Sequence, residues 1–412
     1  MSNVPEIALS RAADGLLTDD TITNALSFVR QHLDMDVAYL SEFVGDNLVF
    51  RAVDAPGFEE LVHVDGQIPL DQVYCRHILE GNLPELMRNT LDFPLADQIP
   101  VTHSAHVRSH VSVPVRKRDG TPYGMFCCLS QQTRPTLNDR DLEVVRVFAN
   151  LSADHINQVL DKTVKNTAIE DRLNETIVKS LFKIVYQPIF DISSRFPSGF
   201  EALTRFEGEP YRPPNVWFDE AYSVEMQADL EIATIERALD GLLVLPDDVY
   251  LSVNASPETV QSGRLDAVFA GHDCSRIVLE VTEHAVVEDY HLLLSELQLL
   301  RERGIRLAVD DAGAGYSGLQ HIVQLQPDII KLDISLTAKI DRDVVRKSLG
   351  SALVRFAKET GARIVAEGIE TEAEFATLCK LGVDLGQGYL LGKPDTLENA
   401  CLWFQFAGAQ KA

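Results

Sequence analysis

The spacing of apolar positions changes character partway along the chain. In the first half, Ile22, Leu26, Val29 and Leu33 recur at helical steps over residues 20–33. Strand-like stretches follow at residues 36–43 and 47–53, parted by Gly45-Asp46, and at 110–116 and 122–129, parted by the hairpin-like break Lys117-Arg118-Asp119-Gly120. A helix is predicted from Asn138 or Asp139 through Val145, Phe148, Leu151 and Ile156. Helices around a mostly antiparallel sheet make residues 15–160 an α+β sensor-like domain. Helical character continues to residue 180 through Val159, Ile169, Leu173 and Ile177, drifting at Lys165-Asn166-Thr167. Residues 161–180 therefore read as a helical linker able to pair with a partner chain or, equally, as the last helix of one domain meeting the first of the next; a perfect coiled coil is not supported.

Beyond residue 180 a second rhythm starts. β-Rich stretches recur at Ile184–Phe190, Gly199–Phe206, Tyr250–Asn254, Ile277–Glu283, Arg306–Asp311, Ile329–Asp333, Arg363–Glu367 and Asp384–Leu390. From the second onward, each gap holds an amphipathic helical stretch, such as Leu292–Arg303 and Val344–Glu359. Eight strands alternating with helices over residues 181–412 predict an α/β barrel of the TIM type. Asp191–Ser198 is too short for a parallel crossover, so the first strand is expected antiparallel to the second.

Composition narrows the picture. A chain of 412 residues suggests two or three domains, and 45% hydrophobic with 24% charged residues is the balance of a globular protein. No apolar run approaches the roughly 20 residues of a membrane span. The opening residues lack a basic region followed by an apolar one, so a cytoplasmic location is expected. Cys75, Cys127, Cys128, Cys274, Cys379 and Cys401 show no zinc-type spacing and read as small core residues. A formal net charge of −25 argues against nucleic-acid polymers and anionic membranes as partners. A polyanionic substrate then requires bound metal to reverse the local sign.

The chemistry is carried by polar residues that interrupt apolar strands near their C-terminal ends, where barrels of this type place reacting groups. Glu201 lies in the second strand, Asn254 ends the third, and Glu280 and Glu283 lie late in the fourth. Asp310 and Asp311 end the fifth, Lys331 and Asp333 the sixth, Glu367 the seventh with Glu370 just beyond, and Gln387 the eighth. A single such acid reads more simply as a turn cap or a partnered surface charge. Acids on one rim are different: like charges about 4 Å apart repel by about 1 kcal/mol in water and about 4 at an effective dielectric of 20. Such a rim protonates or recruits a cation. An all-oxygen donor set of Glu, Asp and Asn suits Mg2+, Mn2+ or Ca2+ rather than zinc. Adjacent Asp310-Asp311 could serve two metals, the usual device for attack on a phosphate ester.

Tyr186-Gln187-Pro188-Ile189, Glu201-Ala202-Leu203 with Arg205, Val253-Asn254, Glu280-Val281-Thr282-Glu283, Asp310-Asp311, Lys331-Leu332-Asp333, Ala366-Glu367-Gly368-Ile369-Glu370 and Gln387-Gly388-Tyr389-Leu390 together resemble the EAL-domain cyclic di-GMP phosphodiesterases. The resemblance implies hydrolysis of cyclic di-GMP to linear pGpG with two Mg2+ or Mn2+ ions per site. It implies that Glu201, Asn254, Glu280 and Asp310 hold the first metal, and that Asp310, Asp311 and Glu367 hold or serve the second. Lys331 would orient the attacking water and Glu367 act as general base. Gln187, Leu203 and Arg205 would meet the dinucleotide, with Gln387 near the metal-bound phosphate. Glu283 and Glu370 would brace the loop after the fifth strand. That loop departs from the family: Ala312 follows the two aspartates where Phe is usual. Activity is expected to persist, with stronger dependence on an activating partner.

In the first half, Gly66-Gln67-Ile68-Pro69-Leu70, Tyr74-Cys75-Arg76-His77, Ser109–Val115 and Pro122–Phe126 resemble a GAF domain. This implies a regulatory small-molecule pocket, its ligand unknown, and a homodimer formed through the linker helix and the barrel. Cys75 lacks the adjacent His of a tetrapyrrole anchor, since Arg76 intervenes. His103, His106 and His110 have helical metal or haem spacing, but solvated loop histidines are the simpler reading because His110 opens a strand. Cys127 and Cys128 point to opposite faces, with a core thiol favoured. The alternative function is a sensor or scaffold that binds cyclic di-GMP without cutting it and signals to a partner protein.

Overall fold

A computed structural model of the chain describes residues 20–208, 210–281, 289–312 and 318–408; at residues 20, 21, 311, 312, 318–321 and 405–408 it describes the backbone alone. The chain divides into two compact units between Thr167 and Ala168. A single helix, Asp139–Val178, contributes to both.

The first unit is built on six antiparallel strands in the order β3-β2-β1-β6-β5-β4. They are β1 Val37–Val44, β2 Asn47–Asp54, β3 Gln67–Pro69, β4 Leu86–Met87, β5 Ser109–Arg116 and β6 Pro122–Ser130. Both faces of the sheet are covered. On one, Leu26 and Val29 of helix Asp20–His32 and Val145 and Ala149 of helix Asp139–Val178 pack on Leu40, Phe126 and Cys128. On the other, Tyr74, Cys75, Ile78 and Ala96 from the segment between β3 and β5 pack on Tyr39, Phe50, Met125 and Cys127. Adjacent Cys127 and Cys128 thus enter different cores, each fully buried. His110 is not the solvated loop histidine expected. It lies edge-on to Tyr74 with ring centroids 4.8 Å apart and is 1% exposed, because β5 is an inner strand between β4 and β6. His103 and His106 are exposed, so the three share no common face.

The second unit is a closed eight-stranded barrel with neighbour order β10-β11-β12-β13-β14-β7-β8-β9. Its strands are β7 Phe182–Asp191, β8 Phe196–Phe206, β9 Tyr250–Ala255, β10 Ile277–Val281, β11 Arg306–Ala312, β12 Ile329–Leu332, β13 Arg363–Ala366 and β14 Leu385–Gly386. The first strand, β7, is antiparallel to both its neighbours, β8 and β14; the other pairs are parallel. β14 is much shorter than the stretch Asp384–Leu390 suggests. After Gln387, Gly388 takes φ 155° with its backbone against Ile369, where a Cβ would lie 2.2 Å from the Ile369 nitrogen. The chain then turns, and the Gly392 N–H returns to the Gly388 carbonyl at 2.9 Å.

Two-residue alternation sorts the barrel's side chains into layers. Outward residues such as Leu251, Leu279, Ile330 and Ile364 meet helices carrying Leu239, Leu297, Val354 and Leu378. Burial of each such side chain stabilises by roughly 1.5–3 kcal/mol. Inward, Ile189, Tyr250, Val278, Ala308, Ile329, Val365 and Leu385 form one apolar plug. Gly199 completes it, and a Cβ there would stand 2.6 Å from the Tyr250 ring. One pleat further toward the mouth, the same strands present polar groups. Among the described residues no helix is long and apolar enough to cross a membrane.

Candidate active site

The polar layer follows from the plug by steps of two. Ile189 leads back to Gln187 on antiparallel β7, and Gly199 leads on to Glu201. Tyr250 leads to Ser252 and Asn254, Val278 to Glu280, Ala308 to Asp310, Ile329 to Lys331, Val365 to Glu367, and Leu385 to Gln387. Strand geometry therefore aims all of them into one mouth. Glu367 and Gln387 stand one residue past β13 and β14, their backbone N–H groups bonded to Leu332 and Ala366 carbonyls. Asp333 follows β12 and instead caps helix Ile334–Thr337 through the Ser335 N–H.

Lys331 is the hub. Its Nζ lies 2.7 Å from Glu280, 2.7 Å from Glu367, 3.3 Å from Asp310 and 3.6 Å from Glu201, and it is 1% exposed. Burial opposes its charge, but the four carboxylates win and hold its pKa well above the usual lysine value. Glu201 accepts from Gln387 Nε2 at 2.7 Å and Asn254 Nδ2 at 3.1 Å. Despite burial, Lys331 and these donors keep Glu201 below the ordinary Glu range. Glu280 accepts from Ser252 Oγ as well as Lys331. Burial and the charges of Glu201 and Asp310 push its pKa well up against the pull of Lys331. Glu367 is pushed up to about 8, by burial first and then by Asp310 and Glu201. Thr337 Oγ1 donates to the Glu367 carbonyl and so fixes its backbone.

Gln387 Nε2 also donates to Gln187 Oε1 at 3.0 Å, while its own Oε1 is buried without a partner. The mouth opens into a cavity of about 400 Å3 that Leu203, Glu370 and Tyr389 also line. Leu203 separates it from a second cavity of about 420 Å3, lined by Arg205, Asn215, Phe218, Gln227 and Asn254 among others. Arg205 is partly exposed and donates to the Thr204 carbonyl. Glu283 and residues 313–317 lie outside the described residues, as does the side chain of Asp311. Glu370 is exposed, with its N–H on Glu374.

Two supporting residues escaped the sequence reading. Ser252 holds Glu280; the signal was its position two residues before Asn254 on the same strand face. Glu374 accepts from the N–H groups of Lys339, Glu370 and Thr371 and ties the turn after Glu367 to the next helix.

Among the described residues, no three His, Cys, Asp or Glu side chains have the spacing of a formed metal centre. The point on which four carboxylates converge is taken by the Lys331 ammonium. The donor chemistry nevertheless fits a hard divalent cation: carboxylate and amide oxygens from Glu201, Asn254, Glu280, Asp310 and Glu367, and more acid than one ammonium neutralises.

The chain belongs to the EAL domain family, which it matches over residues 170–394, and residues 18–156 match the GAF domain. It is similar to the probable cyclic di-GMP phosphodiesterase PdeD of Escherichia coli K12, with 25% identity over 60% of this chain and 48% of that protein. It is similar also to the cyclic di-GMP phosphodiesterase PA2567 of Pseudomonas aeruginosa, with 31% identity over 54% of this chain and 40% of that protein. The chain thus spans about half the length, or less, of these curated relatives. Among solved structures, the PaMucR phosphodiesterase in complex with c-di-GMP superposes with a TM-score of 0.51 at 27% identity, covering 57% of this chain and 99% of that one.

Proposed function

We propose that the second unit hydrolyses cyclic di-GMP to linear pGpG with two Mg2+ or Mn2+ ions, under control of the GAF unit. The observation that carries this is the convergence of Glu201, Glu280, Asp310 and Glu367 on one buried centre at the barrel mouth, in a chain of the same family as named cyclic di-GMP phosphodiesterases. Glu201, Asn254, Glu280 and Asp310 would hold one ion, and Asp310, Asp311 and Glu367 the other. Bound there, the ions supply the positive charge that a phosphodiester requires in so acidic a protein.

The chain's own residues do the rest. Gln187, Leu203 and Arg205 bind the dinucleotide across the two adjoining cavities, and Gln387 sits beside the reacting phosphate. Lys331 orients a water for attack. Glu367, whose burial raises its affinity for a proton, takes the proton that water loses. The water oxygen bonds to phosphorus, the P–O3′ bond breaks, the 3′-oxygen takes up a proton and leaves as a hydroxyl, and the ring opens to a strand with a 5′-phosphate. Glu370 and Glu283 brace the loop after β11. We further propose a homodimer formed through helix Asp139–Val178 and the barrel, and a cytoplasmic location.

The test is turnover of cyclic di-GMP by the full chain with Mg2+ or Mn2+, the product identified by mass spectrometry. Linear pGpG from the wild type and none from Glu201→Ala is the expected result. Intact cyclic di-GMP with retained binding would make the chain a sensor instead. Light scattering at micromolar concentration that shows monomer alone would remove the dimer.

A further inference from the structure

One wall of the second cavity is held by a residue that lies ahead of the barrel strands in the chain. Helix Pro214–Ser223 supplies Pro214, Asn215, Phe218 and Asp219 to that cavity, which Arg205 of β8 also lines. The helix has ten residues, short of the roughly 12–15 at which an isolated helix becomes even marginal in water. Its N-cap is Pro213, whose side chain can satisfy none of the free N–H groups of the first turn. Its place therefore depends on what its other side chains touch.

Two of those contacts lead to Arg172, in the part of helix Asp139–Val178 that belongs to the second unit. The Arg172 guanidinium donates through Nη2 to Glu220 and lies over the Trp217 ring, 5.5 Å from its centroid. Trp217 in turn stacks on Phe206 with centroids 4.8 Å apart and planes 17° apart, and Phe206 meets Phe218 edge-on at 5.7 Å. Phe206 follows Arg205 in the chain and Phe218 follows Trp217, so this series of contacts ends on two residues of the cavity wall. Ile169 and Leu173, on either side of Arg172, share one buried core with Phe206, Trp217 and Ala221, which fixes the backbone that carries the guanidinium. The side chains of Arg172 and Glu220 are 33% and 19% exposed, so their attraction is screened less than that of a pair on open surface. Arg212 Nη1 also donates to Glu220, at 2.7 and 2.9 Å, but from the segment leading into the same helix, so it adds charge without anchoring the helix elsewhere. A planar guanidinium can lie on an indole face and donate to a carboxylate at once; a lysine ammonium is a compact point charge on a flexible stem.

We infer that Arg172 is a positioning residue for cyclic di-GMP: through Glu220 and Trp217 it sets the wall against which the dinucleotide lies in the second cavity. The inference rests on the phosphodiesterase reading of the barrel, but it concerns binding and not the bond that breaks.

The test uses the full chain, with turnover of cyclic di-GMP measured in Mn2+ and its affinity measured by calorimetry in EDTA. Arg172→Met keeps the length and apolar stem without the charge. It should raise KM and Kd by at least about fivefold while kcat at saturating substrate stays within about twofold of the wild type. Arg172→Lys should recover part of the loss. Glu220→Gln breaks the same contact from the other side and should show the same split, with the double variant no worse than Glu220→Gln alone. That variant also decides the matter if Arg172→Met folds poorly. Unchanged KM and Kd in both single variants, a loss confined to kcat, or additive losses in the double variant would overturn the inference. Wild-type protein that binds cyclic di-GMP without cutting it would remove the hydrolytic reading alone, and the affinities would still decide the role of Arg172. Wild-type protein that neither binds nor cuts would remove both.

Discussion

The Lys331 ammonium lies 2.7 Å from the Glu367 carboxylate, between two neighbouring barrel strands, and three further carboxylates share that ammonium. Lys331 therefore neutralises a cluster that outnumbers it. Lys331→Met should remove about 3–5 kcal/mol of stability in metal-free protein, since uncompensated buried acids remain. Turnover should fall by at least about a hundredfold. Urea titrations with and without Mn2+ check the electrostatic part: the ion should recover more stability in the variant than in the wild type. Equal losses in both conditions would show that these acids do not share one centre.

Gly199 sits where a Cβ would lie 2.6 Å from the Tyr250 ring inside the apolar plug. Neither partner can yield easily, because the ring is 6% exposed and the plug below the site is closed. Gly199→Ala should cost about 1–3 kcal/mol by overpacking. Adding Tyr250→Leu should return much of that loss, so a double-mutant cycle of unfolding free energies gives a coupling of opposite sign to the single losses. Simple additivity of the two changes would refute the clash.

Glu374 is 6% exposed. Burial tends to raise its pKa, but the N–H groups of Lys339, Glu370 and Thr371 and the Thr371 hydroxyl outweigh it and hold it below its ordinary 4.5. A carboxylate with a depressed folded pKa contributes stability that is fully present above 4.5 and lost as pH falls through the folded value. Glu374→Gln should therefore lower stability by about 1–3 kcal/mol at neutral pH. The gap between wild type and variant should close on acidification below 4.5. Thermal melts between pH 7 and pH 3 measure it; a gap that widens with acid has the wrong sign.

Much of this architecture was legible because the barrel repeats one simple rule. Apolar strands such as IVLEV and RIVAE each carry an acid at or just past their ends, and alternation by two puts Glu280 on the face of inward Val278 and Glu367 on that of inward Val365. The short link Asp191–Ser198 likewise dictated the antiparallel start of the barrel. Less visible were features that depend on contacts made elsewhere. Tyr389 and Leu390 extend the strand-like text, yet Gly388 turns the chain away from the ladder. His110 opens a strand, but nothing local announces that the segment between β3 and β5 folds over it. Glu374 looks like an ordinary acid in the first turn of a helix until Lys339, 35 residues earlier, turns its N–H toward it. Its place in a capping box with Thr371 was readable; the cross-element bond was not.

Ser252 offers the sharpest separation between framework and chemistry. Its hydroxyl donates to Glu280, whose other oxygen accepts from Lys331 at 2.7 Å, and both residues are essentially solvent-free. Ser252→Ala removes one donor from a buried carboxylate without touching the proposed ligands. The loss in stability should be about 1–3 kcal/mol, the cost of leaving a buried acceptor unmet. Freed on one side, Glu280 should hold a cation less firmly, and supporting residues of this kind typically change metal affinity by about 10–100-fold. The predicted pattern is a raised Mn2+ requirement with turnover recovering toward the wild-type rate at saturating metal. Ser252→Thr, which keeps the hydroxyl, should restore the wild-type metal dependence. A fall in rate that added Mn2+ does not relieve would instead place Ser252 in contact with the reacting dinucleotide.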